Sequence, residues 1–182
     1  MKNIFKSSLL LLCGVCLFTA CEDDNDSNPT LQQPTTFVLN TPAYAASAID
    51  LATSTEIPFT WSQPDYGFPV AAQYQLQVSL NDSWTVSTDQ AAADESGATV
   101  ADYAMIEDVF SQAKGSLNAA KLAKALQQIA LWPVEAVPAT QLVKVRALSV
   151  LNADTIYSNT VDVNVVPFYV ELKDAAPVLW YL

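Results

Sequence analysis

Aromatic residues flanked by amides and carboxylates are the part of this sequence best suited to chemistry, and the chemistry they suit is sugar binding. Flat exposed rings give contact area at low entropy cost, and nearby amides or carboxylates bond to sugar hydroxyls. Trp84 follows Asn81-Asp82-Ser83, and Tyr66 lies in the turn from Asp65 to Pro69. We therefore take Trp84 and Tyr66 as candidate glycan contacts, with packing inside the fold as the alternative for each.

Catalysis has little support in the sequence. The chain has no histidine, which excludes Ser-His-Asp and Cys-His nucleophiles, an imidazole general base and imidazole zinc sites. A glycoside hydrolase needs two carboxylates at a defined separation, and 19 acidic residues supply candidates without singling any out. Glu107 and Asp108 are adjacent in a segment predicted to be helical, where sequence neighbours point in different directions. We expect no catalytic residues and no enzyme activity.

Metal and nucleic-acid binding are equally unsupported. Asp65, Asp82, Asp94 and Glu95 lie in predicted loops, but their spacing matches no calcium loop such as the EF-hand. We therefore expect no metal site and no cofactor, with a structural ion as the weaker alternative. The formal net charge of −11 has the wrong sign for binding phosphates, so we expect no nucleic-acid partner.

The N-terminus has the layout of an export signal. Lys2 and Lys6 precede an apolar run from Leu9 to Phe18 that is too short for an ordinary membrane span. Phe18-Thr19-Ala20-Cys21 then resembles the bacterial lipobox, in which cleavage leaves an acylated cysteine at the new N-terminus. We predict a signal peptide over residues 1–20 and lipidation at Cys21, the alternative being ordinary cleavage before an unmodified cysteine.

The cysteine content supports lipidation. Cys13 and Cys16 would leave with the signal, so Cys21 would be the only cysteine of the mature chain and could form no internal disulfide. Several acyl chains on this residue would make a durable membrane anchor, since each buried methylene contributes about 0.8 kcal/mol.

An acidic stretch follows the cysteine. Its carboxylates are Glu22, Asp23, Asp24 and Asp26, and its composition predicts a solvated, flexible tether over residues 21–34. The stretch resembles the export tag that sends lipoproteins of the Bacteroidota to the outer face of the outer membrane. An acidic linker with no address function is the alternative.

Beyond the tether, a period of two predicts β-strands with one face in a core. Apolar and polar residues alternate at 57–62, 74–80, 142–147 and 161–165. Since one face of each strand is polar, we expect antiparallel pairing. Pro58 lacks an amide hydrogen, so its strand should lie at an edge or bulge there. Trp61 and Tyr74 lie at positions of this alternation that face the core.

A helical insertion over about residues 104–132 is predicted to interrupt these strands. We expect a short helix from Met105 to Ala113, ended by Gly115. A better helix carries Leu122, Leu126 and Ile129 on one face, with Ser116 or Asn118 as N-cap and Trp132 packed against its end. The apolar face fits a core better than a partner helix.

These patterns together predict an all-β fold, an immunoglobulin or fibronectin III-like sandwich with that insertion. Trp61-Ser62-Gln63-Pro64, Tyr74 to Val78, Val143 to Ala147 and Ser158-Asn159 resemble the fibronectin type III pattern. The acidic tether, residues 35–51 and Trp61 to Pro69 resemble more specifically the N-terminal domain of SusE-type lipoproteins, which belong to the starch-utilisation system of the Bacteroidota. The resemblance extends over nearly the whole chain.

The resemblance implies a role. The chain would be a non-catalytic lipoprotein on the cell surface, anchored in the outer membrane by its lipid. Its immunoglobulin-like domain, residues 35–167, would be a spacer for C-terminal domains that bind starch or malto-oligosaccharides. Two alternatives remain: the domain itself binds glycan through exposed aromatics, or it is an assembly adaptor for other glycan-uptake proteins of the transporter complex.

The last residues resemble the beginning of another domain. An apolar segment with Trp180 and Tyr181 follows Pro177. We therefore expect residues 168–182 to be a linker and the start of a following domain that this sequence lacks.

Overall fold

A computed structural model of the chain, which describes residues 30–152 and 154–172, contains two β-sheets and two α-helices. The strands are β1 (Ile49–Asp50), β2 (Glu56–Thr60), β3 (Gln73–Ser79), β4 (Tyr103–Phe110), β5 (Lys114–Asn118), β6 (Gln141–Leu151) and β7 (Asp154–Val166). The helices are α1 (Thr88–Ala93) and α2 (Ala119–Ala130), and a 3-10 turn spans Val134–Ala136.

The strands pair into a sandwich. Five of them form one sheet in the order β1-β7-β6-β3-β4, and β2 pairs with β5 in the other. All pairs of strands are antiparallel except β1 with β7, which is parallel. The expected all-β, immunoglobulin-like sandwich is therefore confirmed, and so is its mainly antiparallel pairing.

The core lies between the two sheets. Trp61 and Tyr74 are each 3% exposed, and their ring centroids are 5.5 Å apart. Alternate residues of β3 and β6, among them Leu76, Val78 and Val145, are fully buried beside them. The prediction that Trp61 and Tyr74 face the core is thus confirmed.

Pro58 lies in a strand that is paired along one side. β2 pairs only with β5, and the Tyr44 hydroxyl donates to the Pro58 carbonyl. This places the proline at a sheet edge, as expected from its missing amide hydrogen.

The predicted helix from Met105 to Ala113 is wrong. Residues Tyr103–Phe110 form strand β4, in which Ala104 and Ile106 are buried on one face and pair across β3. The apolar run is too short for its period to separate helix from strand. Pairing with β3 satisfies backbone groups that a separate short helix would leave to water.

Gly115 does not end a helix but lies in β5. A Cβ atom there would come within 2.7 Å of the Phe110 ring, so only glycine leaves room for that ring against the strand. Helix formation in the insertion begins at α2, whose N-cap is Asn118, with its side chain accepting from the Lys121 amide at 3.1 Å.

The better of the two predicted helices is confirmed. Leu122, Leu126 and Ile129 of α2 are 2%, 0% and 8% exposed and belong to the core of the sandwich. Trp132 packs partly buried against the same core, and its carbonyl accepts from Gln127 Nε2 at 2.8 Å. The apolar face of α2 is therefore already covered by the domain itself.

The segment before β1 is hydrogen-bonded to the sandwich through side-chain and backbone groups. Asn159 of β7 accepts from the Leu39 amide at 2.9 Å and donates to the Leu39 carbonyl at 3.1 Å. Earlier, the Gln32 amide donates to the Tyr66 carbonyl at 2.9 Å. The last residues of the predicted tether thus contact the folded domain.

Several predictions concern residues outside the described ranges. These are the signal peptide, Cys21, the acidic stretch and the end of the chain with Trp180 and Tyr181. Within residues 30–152 and 154–172, no helix is long and apolar enough to cross a membrane.

Candidate functional site

The most organised polar cluster among the described residues lies on the outer face of the five-stranded sheet, around Arg146. Its guanidinium carbon is 4.1 Å from the ring centroid of Trp84 and 4.1 Å from that of Tyr157. The guanidinium carbon therefore lies over the faces of two aromatic rings, and each is a favourable cation–π contact. We call Trp84, Arg146 and Tyr157 the arginine stack.

A buried amide fixes the guanidinium within the stack. Arg146 Nε donates to Gln77 Oε1 at 2.7 Å, and Gln77 is 2% exposed. Gln77 and Arg146 are direct partners on β3 and β6. Burial lowers the pKa of Arg146, against the smaller opposing effects of Tyr157, Tyr103 and Asp82. The arginine stays charged at neutral pH, because guanidinium groups do not lose their proton in proteins.

An irregularity in β7 brings Tyr157 to this face. Arg146 of β6 pairs with Thr160 of β7, and Leu148 of β6 pairs with Tyr157 of β7. Between these two pairs, β6 advances by two residues but β7 by three. The extra residue is a β-bulge, which reverses the inward and outward alternation beyond it. As a result Tyr157 and Thr160 lie on the same face, although they are three positions apart in sequence.

The loop after β3 carries Trp84 onto the sheet. Trp84 Nε1 donates to Asp82 Oδ1 at 3.0 Å, and the Thr160 hydroxyl donates to the same oxygen at 3.0 Å. Asp82 has a φ of 61°, in the left-handed region that Asp tolerates better than most residues. Trp84 is half-buried and its ring centroid lies 6.1 Å from that of Tyr103.

Asp102 fastens that loop from the other side. Its carboxylate accepts from the Ser83 hydroxyl at 2.6 Å, from the Thr85 amide at 2.9 Å and from the Val86 amide at 3.0 Å, and also from the Thr85 hydroxyl. Burial by itself would raise the pKa of Asp102, but these hydrogen bonds outweigh it and hold the pKa below its usual value. The loop that presents Trp84 is thus built around one ionised carboxylate.

Tyr66 is separate from this cluster. It is 5% exposed, and its hydroxyl is 3.1 Å from the Ser149 hydroxyl inside the fold. The expectation of an exposed Tyr66 ring therefore has to be corrected: the turn that carries it folds the ring inward. Tyr66 therefore packs inside the fold, which was the alternative for this residue. Of the two glycan contacts predicted from the sequence, Trp84 is the one with accessible surface.

The remaining acids form no ligand set. Asp65 Oδ1 accepts from the Gly67 amide at 2.9 Å, and Asp94 accepts from Ser96 and Thr99, with the side-chain bond from Ser96 the largest cause of its lowered pKa. Asp108 lies on β4 and pairs with Lys121 at 2.5 Å. Within residues 30–152 and 154–172, no group of three or more Cys, Asp or Glu could hold a metal ion.

A second concave region lies over β2 and β5 but is less organised for binding. Its volume is about 650 Å³, and it is lined by polar outward residues of both strands and by Phe110. Most of its charged groups already have partners among the described residues: Lys121 bonds to Asp108 at 2.5 Å, and Glu56 accepts from Asn118 at 3.2 Å. Lys114 of β5, which also lines this region, has no hydrogen bond or ion pair there that would fix its position. The arginine stack therefore remains the better candidate.

Sequence reasoning found Trp84 and missed Arg146, Gln77 and Tyr157. The alternation of β6 placed Arg146 on the polar face but gave no partner for it. In a regular strand, Tyr157 would face the core like the buried Val161 and Val163, which lie an even number of residues away. Only the bulge shows that Tyr157 faces outward.

Comparison with family models identifies the family of this chain. A family model described as SusE outer membrane protein matches residues 23–144, about two thirds of the chain. The match begins two residues after Cys21 and ends within β6. No solved structure matches the chain.

Proposed function

The chain belongs to the SusE outer membrane protein family, and on that premise we propose that it is a non-catalytic surface lipoprotein of a starch- or glycan-uptake system. In this role Cys21 carries the lipid anchor, the acidic stretch is the tether, and the immunoglobulin-like sandwich is a spacer. Starch or malto-oligosaccharides would be bound by domains C-terminal to this one, as the SusE-type resemblance implies.

The observation that carries this proposal is the family match over residues 23–144. The matched range includes β1 to β5 and both helices. The location of the protein in the outer membrane follows from the family itself; lipid attachment and display on the cell surface are the further steps that we propose.

The sandwich suits a spacer for a physical reason. Its described residues form one continuous apolar core that includes α2, and its N-terminal segment is bonded to β7 through Asn159. A rigid domain that is fastened in this way can hold the part of the protein that follows it at a defined distance from the anchor. The adaptor alternative cannot use the apolar face of α2, because that face lies in the core.

Membrane fractionation tests the anchor. We expect the native protein in the membrane fraction and accessible to antibody on intact cells, and Cys21→Ala in the soluble fraction with its fold intact. Cys16→Ala is the matched control, since that cysteine lies within the predicted signal and should leave anchoring unchanged. Equal membrane retention of Cys21→Ala and the native protein would defeat the proposed anchor.

A further inference from the structure

The terminal nitrogens of Arg146 have no partner in the described structure. Only Nε is hydrogen-bonded, to Gln77, and no described Asp or Glu forms an ion pair with the guanidinium. The buried side-chain atoms without a partner among the described residues are Trp61 Nε1 and Gln127 Oε1. The two terminal nitrogens of Arg146 are therefore not completely buried, and their donors have no partner among the described residues.

The stack fixes the orientation of these donors. The rings of Trp84 and Tyr157 each lie 4.1 Å from the guanidinium carbon and Gln77 holds its Nε, so the terminal nitrogens are the donors left to bind a ligand. A planar guanidinium offers parallel N–H donors that match a carboxylate in two-point contact. Because the side chain is already held, little conformational entropy is lost on binding.

The local charge favours a ligand that brings one carboxylate to the guanidinium and carries few others nearby. One guanidinium is present, the adjacent Lys144 is neutralised by Asp162 at 2.7 Å, and Asp82 lies close to the stack. The whole chain is strongly acidic, with a net charge of −11. An acidic protein segment, with a carboxylate on every residue, has a higher charge density than a saccharide with one carboxylate per ring, and would be repelled more.

The rings of the stack favour a sugar as the carrier of that carboxylate. Tyr157 is 50% exposed, so part of a flat aromatic ring lies beside the guanidinium in contact with solvent. Such a ring packs against the apolar face of a pyranose, while fixed polar groups set its orientation. Trp84 with Asp82, on the opposite side of Arg146, adds polar and aromatic surface.

We propose that the outer face of the five-stranded sheet binds acidic saccharides, with Arg146 receiving the carboxylate of a uronic acid and Tyr157 packing against the sugar ring. This assigns a binding activity to the domain itself. It rests on the proposed function only in taking a glycan as the natural ligand, and it is independent of the lipid anchor.

Calorimetric titration of the full chain in detergent tests the proposal. The probes are trigalacturonate, the neutral galactotriose and hexaglutamate. We expect trigalacturonate to bind with a Kd of about 1 mM or lower, and galactotriose at least about tenfold more weakly because it lacks the charged acceptor. This comparison uses the native protein, so it holds even if a variant fails to fold.

Variants then place the site. Arg146→Lys keeps the charge but loses the two-point contact, and should weaken trigalacturonate binding at least about tenfold. Lys144→Gln is the matched control on the same strand and face, and should change affinity less than about twofold. Thermal unfolding of each variant checks that its fold is kept.

Three results would overturn the proposal. They are no saturable binding of trigalacturonate, equal binding of the acidic and neutral trisaccharides, or tighter binding of hexaglutamate, which would point to an acidic protein partner instead. None of them affects the fractionation of Cys21→Ala, so failure of the saccharide site and failure of the anchor are separate outcomes.

Discussion

The two faces of the five-stranded sheet consist of the same strands but are organised by different forces. On the inner face, Leu76 and Val145 are buried by apolar neighbours from both sheets. On the outer face, their sequence neighbours Gln77 and Arg146 are hydrogen-bonded to each other, and Trp84 lies against Arg146. The inner face depends on area removed from water, and the outer face depends on matched polar partners.

This difference shows where function can be built without loss of the fold. Apolar packing tolerates few changes in volume. The outer face is open to solvent at the stack, where Tyr157 is 50% exposed, so its residues can be set for a ligand while the inner face keeps the sandwich folded.

The largest expected loss of stability comes from a cavity on the inner face. Leu76 is 0% exposed on β3, an interior strand of the sheet, so Leu76→Ala should lower the free energy of unfolding by about 2–5 kcal/mol. Denaturant unfolding measures it. Gln75→Ala, the adjacent residue on the opposite face, is the control and should cost less than about 1 kcal/mol. Similar losses for the two variants would contradict the assigned faces.

A change at Asp102 should have an intermediate effect, because it releases the loop that carries Trp84 onto the outer face. Asp102→Asn removes the charge from a carboxylate that accepts bonds from Ser83, Thr85 and Val86, and should cost about 1–2 kcal/mol at neutral pH. Denaturant unfolding at several pH values measures it.

The pH dependence sharpens this prediction. Since the pKa of Asp102 is lowered in the folded protein, its ionised form stabilises the fold above the unfolded-state pKa of about 3.9. That stabilisation is lost as the pH falls through the lower folded-state pKa. The difference between the native protein and Asp102→Asn should therefore shrink below about pH 4. A constant difference down to acid pH would mean that the carboxylate charge does not hold the loop.

Removal of one ring from the arginine stack should have the smallest effect on stability. Tyr157→Ala deletes one cation–π contact of a half-exposed tyrosine and should cost about 0.5–1 kcal/mol. Thermal unfolding measures it, with Tyr169→Ala as the control, since Tyr169 is 41% exposed and outside the stack. A loss as large as that of Leu76→Ala would make the stack part of the core and remove the contrast between the faces.

Much of the fold was predictable because its signals are local. The alternation around Tyr74 and Val143 predicted strands with their correct buried faces, and the spacing of Leu122, Leu126 and Ile129 predicted α2. Helix α1 was missed, although Ser87 and Gln90 form a capping box that the sequence shows. The prediction of β4 as a helix failed because its short apolar run carries no clear period.

The candidate site was less predictable, since its members come from four separate parts of the chain. Trp84 was found by its polar neighbours in sequence. Gln77 and Arg146 meet only because β3 and β6 are adjacent in the sheet, and their register is set by pairing over the whole length of both strands.

The sequence by itself determined the period of the strands, the amphipathic helix and the acidic charge, because each of these depends on side chains close together along the chain. Only the tertiary structure decided that Tyr66 is buried, that residues Tyr103–Phe110 form a strand, and that Tyr157 faces outward. The last follows from a single bulge in β7, which reverses the parity that the sequence shows. Pairing and packing between distant segments fix such features, and no local pattern contains them.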